Sequence, residues 1–135
     1  YRNDYLNRFV DQSKIINAFK MLKEAGIKRT AYNIIGLPNQ TEDSIIKTLE
    51  FNHKIKPDTS IAAFYSIYRG TKLEQKADKE FLDEDPYGMD PQIRSKSFKH
   101  NIPMEILQFY KDNFTYFVKN GLSEIDKKKK LFLSN

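Results

Sequence analysis

Apolar residues recur at helical spacing through Ile15, Ile16, Phe19 and Leu22, and the pattern stops at Gly26. Asp11 and Ser13 stand just ahead of it with oxygens suited to cap a first turn. The spacing therefore predicts an amphipathic helix over residues 11–25, with Gly26 as a left-handed stop. The period then changes. Thr30-Ala31-Tyr32-Asn33-Ile34-Ile35 reads as a strand, and Gly36-Leu37-Pro38 ends it, since proline has no N–H to give a ladder. Thr41 caps the next helix. Glu42 and Asp43 occupy its first turn, where carboxylates favour the positive end of the helix dipole, and Ile45, Ile46, Leu49 and Phe51 form its buried side. Lys54-Ile55-Lys56-Pro57-Asp58 terminates it. The run Ser60-Ile61-Ala62-Ala63-Phe64-Tyr65-Ser66-Ile67 is nearly continuous in apolar or small residues, as expected of a strand covered on both faces in a parallel sheet.

Strand, helix and strand in this order make a βαβ unit, whose crossover is right-handed almost without exception. A parallel α/β protein binds its ligand at the carboxyl ends of its strands, which makes the turn from Gly36 to Thr41 a functional position on geometry alone. Beyond the second strand, Tyr68-Arg69-Gly70-Thr71 makes another turn, and Thr71 caps a short helix through Leu73 and Ala77. Residues 80–101, with Asp83, Glu84, Asp85, Pro86, Gly88, Asp90 and Pro91, read as an irregular loop. Pro103 opens a helix with an apolar stripe of Ile106, Tyr110, Phe114, Phe117 and Val118 that ends at Gly121, and the tail after it is expected to fray. Two strands make a poor complete sheet. The fold class is α/β with parallel strands, and partners for the sheet are expected on polypeptide outside the chain.

At 135 residues, with 39% hydrophobic and 13% aromatic residues, the chain has the size and core material of one globular domain. No apolar run is long enough to span a bilayer, and no basic-then-apolar leader is visible, so a soluble, cytoplasmic protein without a membrane partner is expected. Cysteine is absent. That excludes a disulfide framework, a thiolate nucleophile, a cysteine-ligated zinc and an iron–sulfur cluster held by this chain itself. The net charge of +5 draws four positive charges from Lys127-Lys128-Lys129-Lys130, whereas earlier Lys and Arg residues interleave with Asp and Glu as on an ordinary solvated face. With no aromatic–basic alternation, nucleic acid is a disfavoured partner. The alternative left open is a non-catalytic α/β interaction module that uses the tail lysines on an anion or nucleic acid. The chain starts abruptly at Tyr1, as an internal piece of a longer protein would.

Catalytic chemistry is hard to place on these residues. Gly36-Leu37-Pro38-Asn39-Gln40-Thr41 lacks the Gly-Lys-Ser/Thr ending of a phosphate loop, and its proline removes a cradling N–H. His53 and His100 stand in no ligand spacing and read as a helix-end residue and a loop residue; the acidic group Asp83, Glu84, Asp85 and Asp90 matches no calcium-loop register. No catalytic or metal-binding residue is assigned.

Together the blocks resemble a known family, the radical S-adenosylmethionine enzymes, in particular the group that often carries an N-terminal cobalamin-binding domain. Leu6-Asn7-Arg8 and the helix ending Lys23-Glu24-Ala25-Gly26-Ile27 resemble the region after the fourth barrel strand. Ile34-Ile35-Gly36-Leu37-Pro38-Asn39-Gln40-Thr41-Glu42 is similar to the fifth strand with its Gly-Leu-Pro-Gly-Glu-Thr turn. Lys56-Pro57-Asp58 precedes the sixth strand, and Tyr68-Arg69-Gly70-Thr71-Lys72-Leu73 is similar to Tyr-Pro-Gly-Thr-x-Leu. The resemblance implies the second half of a partial, six-stranded (βα) barrel over residues 1–79, with residues 80–135 as a C-terminal loop and helix extension packing on it. It implies S-adenosylmethionine and a [4Fe–4S] cluster as cofactors of the whole protein, with cobalamin as a further one where that domain is attached. In such enzymes three cysteines of a Cys-x-x-x-Cys-x-x-Cys loop hold the cluster, which cleaves S-adenosylmethionine to a 5′-deoxyadenosyl radical. This chain lacks that loop and is expected to be inactive alone, with the N-terminal half of the same protein as its partner and a small molecule or peptide as substrate. Implied cofactor contacts are Ile34, Ile35, Gly36, Leu37 and Pro38, with Tyr68 and Gly70 at the next strand end. Arg8 is assigned either a carboxylate contact or a role in strand-end geometry. The sequence departs from the family pattern at Asn39-Gln40, where Gly-Glu is usual, at Arg69, which replaces a proline, and at Ile67, where a further proline is common.

Overall fold

The computed structural model describes residues 10–66, 68, 70–76 and 100–135. Helix α1 (Gln12–Glu24) begins where the Asp11 carboxylate accepts the Ser13 N–H at 3.2 Å, and it ends ahead of Gly26, whose φ of 72° only glycine adopts at little cost. Strand β1 (Thr30–Ile35) and strand β2 (Thr59–Phe64) pair in parallel, in a register running from Thr30 opposite Thr59 to Ile35 opposite Phe64. Between them runs α2 (Glu42–Ile55), capped by the Thr41 hydroxyl, which accepts the Ser44 N–H at 3.2 Å. Short α3 (Lys72–Lys76), long α4 (Met104–Asn120) and α5 (Ile125–Leu133) follow. Two parallel strands with helices confirm the α/β class. Among the described residues no helix is long and apolar enough to cross a membrane.

Side chains alternate across a strand, so the sheet has two unlike faces. Ile35 and Phe64 point into a core made with Ile45 and Leu49 of α2 and with Phe109, Phe114 and Phe117 of α4. On the opposite face Tyr32, Ile34 and Ile61 are 79%, 43% and 42% exposed. The expectation that the second strand is covered on both faces is therefore corrected: the described helices lie on one side only. The apolar continuity of Ser60 to Phe64 came from Ile61 and Ala63 on the bare face as much as from the core.

Arg29 anchors the amino ends of the strands. Only 6% exposed, it donates from its backbone N–H to Asp58 at 2.8 Å, and from its guanidinium to Asp58 at 3.1 Å, to the Lys56 carbonyl at 2.9 Å and to the Phe19 carbonyl at 3.0 Å. Those bonds join α1, the end of α2 and the start of β2. The Arg29 N–H and guanidinium hold the Asp58 carboxyl below the usual carboxylate range.

The tail is also corrected, because residues 125–133 form a helix rather than a frayed end. Phe132 packs against Phe109 with ring centroids 5.5 Å apart, and Lys129 donates to the Glu42 carboxylate, which also accepts the Tyr110 hydroxyl at 2.6 Å. Burial pushes the Glu42 carboxyl up, but the Lys129 and Tyr110 contacts more than reverse it and leave it below its ordinary value. A carboxyl lowered by folding stabilises the native state fully above its unfolded pKa, about 4.3, and loses that contribution as pH falls through its folded value. Denaturant unfolding is expected to become less favourable to the native state over that acidic window, and Glu42→Gln is expected to flatten the pH dependence there. A Gln variant with an unchanged pH profile would place the acid sensitivity elsewhere.

Candidate functional site

The carboxyl ends of β1 and β2 form one rim. β1 runs into Gly36 at φ 75°, and a Cβ there would stand 3.4 Å from the His100 ring and 3.8 Å from Leu107 and Phe64. Leu37-Pro38-Asn39-Gln40 then makes a tight turn: the Gln40 N–H donates to the Leu37 carbonyl at 3.0 Å, with Pro38 leading and Asn39 at φ 60°. This is the type II pattern, in which the third residue must take positive φ, a conformation asparagine tolerates better than most residues. Asn39 thus takes the left-handed conformation that glycine most often supplies at this turn position.

Gln40 locks the turn from inside. Its side-chain oxygen accepts the Gly36 N–H at 2.8 Å and the Leu37 N–H at 3.2 Å, and the residue is 4% exposed. Gln40→Leu leaves two N–H groups without that acceptor and is expected to cost about 2 kcal/mol. Thermal unfolding would show it, and a loss under about 0.5 kcal/mol would mean that water satisfies the turn as well.

The second part of the rim follows β2. The Tyr65 N–H donates to the Ile35 carbonyl at 2.8 Å, continuing the ladder past the strand. Gly70, at φ 79°, donates its N–H to the Glu74 carboxylate at 2.6 Å, while the Thr71 hydroxyl accepts the Glu74 N–H at 3.2 Å and donates to the Tyr68 carbonyl at 2.8 Å. These bonds tie the start of α3 to the turn ahead of it, and Tyr68 beside them is 62% exposed.

Ile34 and Ile35, expected to line one pocket together, are divided by strand alternation. Ile34 is on the bare face, next to the turn; Ile35 is fully buried beneath the helices. Gly36, Leu37 and Pro38 are buried in the turn itself, where they shape the rim more than they offer surface. Tyr68 and Gly70 lie at the end of the neighbouring strand. Arg8, Ile67, Arg69, Ala77 and the acidic group from Asp83 to Asp90 lie outside the described residues.

Beside this rim a groove of about 1040 Å³ runs along β1 between α1 and α2, lined among others by Ile15, Phe19, Asn33, Phe51, Asn52 and Ile55. Asn33 and Asn52 face each other in it and exchange hydrogen bonds of 2.8 and 3.1 Å, tying β1 to α2. Sequence reading passed over this pair, as it passed over Arg29 and Gln40's inward turn, because single polar residues in a strand or helix carry no period. His53 stands in the last turn of α2, and its Nδ1 donates to the Val118 carbonyl of α4 at 2.8 Å. Of the lysine run, Lys129 engages Glu42 and Lys128 lies 4.1 Å from the Tyr116 ring centroid. Among the described residues no group of three or more His, Asp or Glu side chains is arranged to hold a metal. No family model matches the chain, and no curated protein matches it.

Proposed function

We propose that this chain is the second half of the partial barrel of a radical S-adenosylmethionine enzyme, and that it contributes cofactor and substrate contacts but no catalytic residue. The observation that carries the reading is the bare sheet face. Parallel sheets are ordinarily covered on both sides, and in a barrel the face turned away from the helices lines the interior. Tyr32, Ile34 and Ile61 would be such interior positions. The Gly36 turn and the Tyr68–Thr71 turn, both at the carboxyl ends of the strands, stand where ligands of barrels bind.

The chain's residues differ in how they suit the two cofactors. With no cysteine in the chain and no metal-holding group among its described residues, the cluster finds no ligands here, and it would be held on polypeptide N-terminal to this piece. S-adenosylmethionine suits it better: Ile34 offers an exposed apolar surface to a flat adenine, beside a turn held rigid by Gln40. When bound, the cofactor supplies radical chemistry through one-electron cleavage of its own carbon–sulfur bond. Ile34 would bind and orient the adenine, Gln40 would keep the turn in place through the Gly36 and Leu37 N–H groups, and Tyr32 and Ile61 would face the substrate. Whether the outcome is methylation, ring formation or another radical step depends on residues outside the chain, as does any use of cobalamin.

The test joins this chain to the polypeptide encoded upstream of Tyr1. That polypeptide is expected to carry the three closely spaced cysteines, to bind iron and sulfide on anaerobic reconstitution, and to release 5′-deoxyadenosine from S-adenosylmethionine under reducing conditions. Absence of the cysteines, or of a cluster after reconstitution, would overturn the enzymatic reading.

A further inference from the structure

We infer that Lys129, acting through Glu42, is a positioning residue for the ligand-facing turn of residues 36–40, so that the C-terminal helix α5 sets how tightly that turn holds its ligand. The inference deepens the reading above and rests on it for the identity of the ligand.

The turn is seated on one side of α4. At its entry, a Cβ on Gly36 would stand 3.8 Å from the Leu107 side chain. At its exit, two residues past Gln40, the Glu42 carboxylate accepts the Tyr110 hydroxyl at 2.6 Å. Leu107 and Tyr110 are three residues apart and therefore share a side of the helix, and both are buried. Between these seats the turn depends on the Gly36 and Leu37 N–H groups donating to the Gln40 side chain. Only Thr41 separates Gln40 from Glu42, so a shift at the exit passes to the Gln40 side chain and to the two N–H groups it holds.

The exit is the weaker seat. Gly36 is enclosed by buried Leu107 and Phe64, whereas the Glu42 side chain is 36% exposed and has water within reach. Lys129 holds it in place. Its ammonium donates to the same Glu42 oxygen, Oε1, that accepts the Tyr110 hydroxyl, and its own side chain is largely shielded from water. A charge-assisted bond at that depth is screened less than a surface pair such as Lys47 with Asp43, one residue further along α2. Without Lys129 the carboxylate can turn to solvent, which leaves the Tyr110 hydroxyl buried and short of its acceptor.

Attachment of α5 itself has other sources. Phe132 packs on Phe109 and Lys128 lies over the Tyr116 ring, both contacts on α4. Lys129 instead reaches past α4 to the start of α2. Its neighbour Lys130 in the same run is exposed, which makes it the control for charge and helix content.

The test is amide hydrogen exchange, resolved by residue, on the whole chain. Lys129→Met is expected to speed exchange at Gly36 and Leu37 at least about threefold, with Phe114 and Phe117 of α4 unchanged. Lys129→Arg should restore the native rates at Gly36 and Leu37, and Lys130→Met should leave them as they are. In the cluster-loaded protein formed with the polypeptide encoded upstream of Tyr1, Lys129→Met is expected to weaken S-adenosylmethionine binding about threefold, again with recovery in Lys129→Arg. Native exchange at Gly36 and Leu37 in Lys129→Met would overturn the proposal. So would equal acceleration at Phe114 and Phe117, which marks a merely structural lysine, or a loosened turn with unchanged affinity in the cluster-loaded protein. A turn loosened as expected, in a chain whose upstream polypeptide binds no cluster, would leave the positioning role standing and remove the enzymatic reading. An active, cluster-bearing complex whose turn ignores Lys129→Met would do the reverse.

Discussion

Replacing Phe109 by alanine is expected to lower the free energy of unfolding by about 3–5 kcal/mol, the range for truncating a fully buried aromatic residue. Phe109 has no exposed surface, and the rings of Tyr110, Phe117 and Phe132 stand 5.3, 5.9 and 5.5 Å from it. The loss combines the transfer energy of the ring with a cavity between α4 and α5 that rigid neighbours fill only partly. For a domain whose total stability is of the order of 5–15 kcal/mol, that is a large fraction. Urea unfolding at neutral pH measures it, and a loss below about 1 kcal/mol would mean that α5 does not close over α4 in solution. The consequence reaches the site, because α4 holds the helix side of β2 through Phe64, Phe114 and the Thr115 hydroxyl on the Ser60 carbonyl.

Arg29→Met is the second large effect, expected at about 2–4 kcal/mol from the charge-assisted bonds to the Phe19 and Lys56 carbonyls. Methionine keeps the volume along Phe19 but leaves both carbonyls without their donor. Because α1 has no fully buried residue, its attachment depends heavily on this arginine. Amides of α1 should therefore exchange much faster in the variant, beyond what the global loss explains. Asp58→Asn is expected to be milder, since its oxygen still accepts the Arg29 N–H. With the Asp58 carboxyl lowered by folding, its contribution is present above the ordinary aspartate pKa and fades as pH falls through the folded value, and Arg29→Met should weaken that dependence without removing it, because the backbone N–H of residue 29 still donates to Asp58. Uniform exchange across α1 and α2 in the variant would show that Arg29 is not the anchor.

Much of this was legible from local chemistry. The caps at Asp11, Thr41 and Thr71, the stop at Gly26 and the strand end at Ile35 follow from residue type and neighbours, and the structure places each where the pattern does, whereas the second strand, read through Ile67, ends at Phe64. What failed depended on three-dimensional placement. A stripe of Ile106, Tyr110, Phe114, Phe117 and Val118 describes a helix with one covered side, yet α4 is covered on two, and Leu107 and Phe109 are buried as well. The lysine run concealed a helix, since Phe132 and Lys129 find partners only after α4 and α2 are in place. Ile34 and Ile35, adjacent in the chain, turned out to face opposite sides of the sheet. Gln40 stood out in the sequence only as a departure from a familiar turn, and its bonds to Gly36 and Leu37 needed coordinates.

The central claim is that the bare face of β1 is an interior, ligand-facing surface. It is tested most directly by titrating S-adenosylmethionine into the cluster-loaded protein formed with the upstream polypeptide, comparing the native chain with Ile34→Asp. Ile34 is 43% exposed, so aspartate there should leave the fold of the chain intact. A buried, unpaired carboxylate against the adenine should weaken binding by at least about tenfold, or roughly 1.4 kcal/mol. An unchanged Kd in a folded, cluster-bearing protein would contradict the account.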